Sequence, residues 1–220
     1  MTSISQIRHK AVLLLVAELV LIASSPSWAH LEQLWLALVF PVFFAACASV
    51  LANSKKALVP YIILALTSLV AEWLVVSPFS SLAQLFCHGG ASFYLFREVL
   101  KHSFFRSGVP YADRLIAGVS GYLLLGIFSF IFSSVLQQFQ PGAYLDQITS
   151  EPPVIADQLY FSFMTLTTVG YGDIVPRTPF AKVLVTLTSL SGVLYLAVFI
   201  SVLVSRKAPA IREQGVQLPK

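Results

Sequence analysis

The sequence predicts an all-α membrane protein with six transmembrane helices. Three observations predict it. Hydrophobic residues make up 57% of the chain and charged residues only 11%. Apolar stretches long enough to cross a bilayer recur along the chain, and the basic residues sort onto alternate connections between them. A soluble domain carries about a quarter charged residues, so a chain with mean hydropathy +0.81 cannot clothe itself for water.

A spanning helix needs about 20 apolar residues, and about 17–25 is the usual range. The stretches are 10–25, 31–52, 57–77, 79–100, 114–139 and 180–205. A shorter apolar piece, 155–167, lies between the last two and reads as a re-entrant helix. The extended residues 168–172 behind it are tolerable at membrane depth only where protein or water surrounds them. Basic residues favour the cytoplasmic side. With the N-terminus there, Arg8, Lys10, Lys55, Lys56, Arg97, Lys101, Arg106, Arg114, Arg206, Lys207, Arg212 and Lys220 all fall inside. Only Arg177 and Lys182 fall outside, in company with Asp146, Glu151, Asp157 and Asp173. Both termini are therefore expected in the cytoplasm of a plasma membrane, with a bacterial inner membrane favoured by the compact termini and the lack of a glycosylation sequon.

Two details qualify this layout. Arg8-His9-Lys10, a short apolar run and Ser27-Trp28-Ala29 also fit a cleaved signal peptide. Glu18 within the run fits a retained helix that faces protein better. Cys47 and Cys87 both sit in apolar segments and read as small buried hydrophobes, not a disulfide.

Residues 168–173 read Thr-Val-Gly-Tyr-Gly-Asp. By ordinary residue usage that hexamer arises by chance in such a chain about once in 10⁵. A nucleotide-binding turn is the bland alternative. Val175 stands where the third glycine of G-x-G-x-x-G belongs, and no βαβ pattern surrounds the motif. The residues suit ion selection better. A potassium ion sheds its water only if a pore returns oxygen ligands at similar cost. Rings of backbone carbonyls do this, the four TVGYG loops of potassium channels being the known instance. Facing successive carbonyls to one axis takes the backbone out of strand geometry, and Gly170 and Gly172 reach positive φ without steric cost.

With these residues the chain resembles the potassium-channel pore family over 114–207, nearly half its length. The resemblance implies an outer helix, a turret, a pore helix, a filter loop and an inner helix. It implies potassium held by the carbonyls of Thr168, Val169, Gly170 and Tyr171 and by the Thr168 hydroxyl, with Gly172 completing the filter. Val169 and Tyr171 would turn their side chains away from the axis. One motif per chain implies a homotetramer, since a lone chain cannot surround an ion. Tyr171 favours potassium over mixed cations, because non-selective relatives carry another residue there.

The implied filter support comprises Thr167, Asp173, Tyr160, Phe161 and Met164. Family members often carry two tryptophans where Tyr160 and Phe161 stand, and some bacterial relatives a glutamate where Met164 stands. Asp173 is therefore expected to lack those partners. Asp157 near the start of the pore helix complements its dipole. Pro179 suits the first turn of the inner helix. Gly192 stands where relatives place a hinge, and it also suits close helix packing. Leu196, Ile200 and Val204 follow at helical spacing as candidate pore lining or gate, or as plain lipid contact.

Four helices ahead of a two-helix pore resemble the layout of voltage-gated potassium channels. Residues 1–100 then read as a charge-depleted voltage-sensor-like domain, 101–113 as an interfacial linker, 114–207 as the pore and 208–220 as a short tail. Each charge crossing the field is worth about 2.3 kcal/mol per 100 mV. The fourth segment has no Lys or Arg before Arg97. Weak or absent voltage sensing is expected. Glu18 and His88 fall at similar depth and form a candidate intramembrane pair, either a pH-responsive contact or a packing device. Glu72 sits nearer the outer face, and Pro41 and Gly89-Gly90 mark expected helix irregularities.

The tail leaves no room for a ligand-binding domain, so gating by a soluble ligand is expected to need a partner chain. The leading function is passive potassium conduction, with a regulatory or non-conducting subunit of a heteromeric channel as the alternative. A regulatory subunit of unknown kind remains an open partner. No nucleic-acid partner and no cofactor beyond the permeant K+ are expected. No His/Cys/Glu cluster has metal-ligand spacing, and no nucleophile–base pairing points to an enzyme.

Overall fold

The computed structural model describes residues 4–23, 43, 45, 58–59, 61–63, 66, 89–101, 104 and 109–215. The expected spans at 31–52 and 57–77 lie almost wholly outside these, as do Pro41, Glu72, His88 and both cysteines. The described elements are α1 (Ile4–Ala23), α2 (Gly90–Leu100), α3 (Tyr111–Phe139), β1 (Tyr144–Asp146), α4 (Ile155–Leu166), β2 (Ile174–Pro176) and α5 (Pro179–Gly215). The protein is mostly helical. Among the described residues, Tyr111–Phe139 and Pro179–Ser205 are long and apolar enough to cross a membrane.

The long helix α3 is the hub, and α1, α2, α4 and α5 all pack on it. Its 29 residues span about 43 Å, more than the ~30 Å of a hydrocarbon core. Pro110, extended at φ −55°, ψ 147°, sets the start, so the helix begins at Tyr111 and not at 114 as expected. Asp113, read as the end of a linker, instead lies in the first turn, where an acid complements the helix dipole. Glycines cut notches along α3. A Cβ on Gly118 would enter the ring of Phe199, one on Gly121 would reach the Tyr195 hydroxyl, and one on Gly126 the ring of Phe163. Backbones approach closely only where side chains are this small.

Pro152-Pro153 lead into α4, whose N-cap Val154 is extended and whose first turn carries Asp157. The helix ends at Leu166, one residue before the expected end, with Thr167 as its cap. Its apolar residues Leu159, Phe161 and Leu166 are buried. Helix α5 begins at Pro179 and continues to Gly215, so the expected tail is helical over 208–215. Ala208, Ala210, Arg212, Glu213 and Gln214 are good helix formers, while Pro209 among them removes one amide.

One feature departs from an all-helical reading. Strands β1 and β2 form an antiparallel pair with Tyr144 opposite Pro176, Leu145 opposite Val175 and Asp146 opposite Ile174. The ladder extends at both ends, Arg177 N donating to Ala143 O at 2.8 Å and Gln147 N to Asp173 O at 2.7 Å. This phase puts residue 176 at a rung where no ladder amide is needed, so proline is tolerated there. Tyr144 stands at the same rung, and its free amide turns instead to Gln137 Oε1 at 2.9 Å. The strand pair is thereby tied to the last turns of α3.

Candidate functional site

Residues 167–173 connect α4 to β2, and their backbone is unlike either neighbour. Thr168, Gly170 and Gly172 have φ of 62°, 53° and 82°, while Val169 and Tyr171 between them are not left-handed. Alternation of left- and right-handed residues turns successive peptide planes the same way. Glycine adopts this freely. Thr168 does not, and a residue held there costs about 1–3 kcal/mol, so its surroundings must impose it.

The surroundings are the last turn of α4. Thr168 N donates to Thr165 O at 3.0 Å, and Val169 N and Gly170 N donate to Met164 O at 2.9 and 3.3 Å. Thr167 Oγ1 closes the same turn on Phe163 O at 2.7 Å. Met164 thus supports the loop through its carbonyl. With the amides turned toward the helix, no hydrogen bond among the described residues uses the carbonyls of Thr168, Val169, Gly170, Tyr171 or Gly172. A run of five unbonded carbonyls beside a helix C-terminus is a surface of negative potential, suited to a cation.

The Asp173 end is held differently. Tyr160 Oη donates to Asp173 Oδ2 at 2.7 Å, and Ile174 N donates to Oδ1 at 3.0 Å. Asp173 is without the partners that relatives place there, and Tyr160 supplies another. The Tyr160 side chain, on the second turn of α4, reaches the carboxylate directly. That bond, more than burial, pushes the Tyr160 phenol up to about 12. Phe161 turns the other way and meets the Tyr144 ring at 5.4 Å, edge-on at 61°. Asp157 is raised by partial burial first and then by the charges of Asp146 and Asp173, which places three acids around this end of the loop. Asp146 is lowered, chiefly by the Ile148 amide.

Near the Thr168 end, a Cβ on Gly192 would collide with the Leu166 carbonyl, so here glycine serves close packing of α5 on α4. Tyr122 Oη also donates to Leu166 O, at 3.3 Å. Further along α5, Tyr195, Phe199 and Leu203 are buried, and Tyr195 Oη donates to Gly118 O at 2.7 Å. Leu196, Ile200 and Val204 lie on the other face and are exposed. Exposed too are Val169 and, at 72%, Tyr171. Glu18 is fully buried where α1 meets α3, with the Ser120 hydroxyl facing it. The two do not reach hydrogen-bond geometry. Its expected partner His88 lies outside the described residues. Nothing in the sequence singled out Tyr122, Tyr144 or Tyr195. The spacing of Gly118 and Gly121 on α3 against Tyr195 and Phe199 on α5 is the signal that could have done so.

Residues 120–207 match a family model described as "Ion channel". The A-type voltage-gated potassium channel KCND3 of Homo sapiens is 34% identical over 97 residues, covering 43% of this chain and 14% of the relative. The potassium voltage-gated channel subfamily A member 10 of Mus musculus is 37% identical over 84 residues, covering 38% of this chain and 15% of the relative. The chain thus spans about a seventh of the length of these relatives. No solved structure matches the chain. The family-model match runs from within α3 into α5 and takes in the 168–173 loop.

Proposed function

We propose that this chain is one subunit of a homotetrameric, potassium-selective channel that conducts passively. The observation that carries it is the loop at 168–172, with the amides of Thr168, Val169 and Gly170 bonded to α4 and the carbonyls left without donors among the described residues. Thr168, Val169, Gly170 and Tyr171 would supply carbonyl rings to dehydrated K+ and Thr168 its hydroxyl, with Gly172 allowing the final turn. Selectivity then comes from backbone geometry, with K+ as the permeant ion and no other cofactor.

Four copies are argued from what one chain leaves open. Among the described residues, the amides of Thr168, Val169 and Gly170 bond to α4 alone, and Tyr171 and Val169 are exposed. The two faces of α5 divide in the same sense. Tyr195, Phe199 and Leu203 serve the chain's own fold, while Leu196, Ile200 and Val204 face outward as pore lining or subunit contact. The relatives are voltage-gated by name, yet this chain's first basic residue after Lys56 is Arg97. Arg97 sits in the last turn of α2, exposed beside Glu98 and over the Tyr94 ring. Voltage dependence is accordingly weak. Cytoplasmic termini in a bacterial inner membrane complete the reading.

Reconstitution in vesicles tests it. Opposed K+ and Na+ gradients should give a reversal potential near that for potassium. Equal permeability to the two ions would refute selectivity. Silence of the pure protein, with current restored only by another channel chain, would favour a regulatory subunit.

A further inference from the structure

We infer that the β1–β2 strand pair is a second, independent brace for the Asp173 end of the filter, able to hold it when the Tyr160 bond is broken. The inference rests on the channel reading above and adds to it the residues that position the filter's far end. At the Thr168 end, three amides bind α4. At the other end Asp173 has two unrelated attachments. Its carboxylate takes the Tyr160 hydroxyl from α4. Its backbone carbonyl takes the Gln147 amide from the segment just after β1.

The second attachment is worth little unless β1 is itself fixed. It is fixed three ways. Its amide at Tyr144 is bonded to Gln137 of α3. The Tyr144 ring is 1% exposed and packs on Phe161 of α4. Ala143, Ile174 and Ala181 close around it, the last from α5. A strand locked to three helices is a rigid support, and antiparallel pairing passes that rigidity to β2, the segment directly after the filter. Gly170 and Gly172 give the loop between the two ends little stiffness of its own. The spacing of its carbonyls is then set by where the ends are held. Tyr144, Gln137 and Gln147 are thus positioning residues, acting through Asp173 and touching no ion.

Two supports for one point predict a strong coupling between their losses. Tyr160→Phe removes the hydroxyl bond. Gln147→Pro removes the amide that reaches Asp173 O. Sustained K+ flux in vesicles should fall about threefold for each, and about a hundredfold for both, well beyond the roughly tenfold product of independent sites. In a Cys47→Ala, Cys87→Ala background, Leu145→Cys with Val175→Cys should lock the facing strand positions together. Oxidation should then recover most of the loss in the Tyr160→Phe chain, and dithiothreitol should reverse it, with thiol labelling reporting closure of the bond. Raised external K+ should also partly rescue the double variant, as loss of a fold would not. A double variant that equals the product of the singles would overturn the brace. If Gln147→Pro fails to fold, flux indifferent to the closed crosslink overturns it instead. Vesicles of the unaltered protein without K+ flux would refute the channel reading, whereas flux present but indifferent to these changes refutes the brace alone.

Discussion

The two ends of the 168–173 loop are held by different means. Around Thr168 three amides bind the last turn of α4, and close packing holds that turn. Helix ends, glycine notches and aromatic rings meet so closely that Gly192 abuts a backbone carbonyl and Gly118 receives the Phe199 ring. Around Asp173 the support is hydrogen bonds, a phenol from one side and a strand ladder from the other. The difference follows from the surroundings. Between apolar helices in lipid, hydrophobic burial gives little preference and close packing must supply the attraction. At the carboxylate-lined end water competes for every hydrogen bond, so each is worth only about 0.5–1.5 kcal/mol and several are used together. Shape has no slack, while bonds can be redundant.

The largest effect should come from filling the tightest notch. Gly192→Ala drives a methyl into the Leu166 carbonyl, which cannot move without displacing the end of α4. Its cost should reach or pass the upper end of the about 1–3 kcal/mol typical of overpacking. A loss of K+ flux and of thermal stability checks it, and a neutral outcome would restore the hinge reading. Gly118→Ala meets a ring that can tilt, so about 1–3 kcal/mol is expected. Replacing Phe199 by Leu in the same chain should recover part of it.

The hydrogen-bonded end should give smaller effects. The Tyr160 phenol is raised from the about 10 of a free tyrosine to about 12 by Asp173. The neutral form is the one that donates. Its contribution is therefore complete below pH ~10 and is lost as pH rises through the folded value. Flux measured across pH 9–12 should decline in the unaltered protein, and Tyr160→Phe should flatten that part of the decline. Smallest of all is Tyr144→Phe. The Tyr144 hydroxyl is buried with no partner among the described residues, so its removal should be neutral or stabilise by up to about 1 kcal/mol. A loss of stability would mean that the hydroxyl is bonded after all.

What could be read in the sequence follows the same division. The short helix α4, its acidic first turn and the start of α5 at Pro179 were legible because local chemistry decides them. The positive φ of Gly170 and Gly172 was legible because only glycine takes it cheaply. That of Thr168 was not, since its neighbours impose it through Met164 and Thr165. The strand pair was hidden because three-residue strands carry no periodic signal, and its register depends on pairing between residues about thirty apart. Tyr160 was counted as a loss of support because residue type was compared without reach. The thirteen-residue gap to Asp173 closes only once α4 and the loop fold back on each other.

Thr168 has a further consequence. Its left-handed backbone holds free energy that every folded chain carries. Under the proposed function the ion is what answers it, since the same carbonyls that the strain aligns are the ones K+ binds. Potassium would then be a ligand of the folded state and absent from the unfolded one, and stability would climb with the logarithm of its concentration. Replacing K+ by Na+ at constant ionic strength should lower the melting temperature, and the slope against log concentration would count the ions. The cation that passes through the protein would also be one that holds it together.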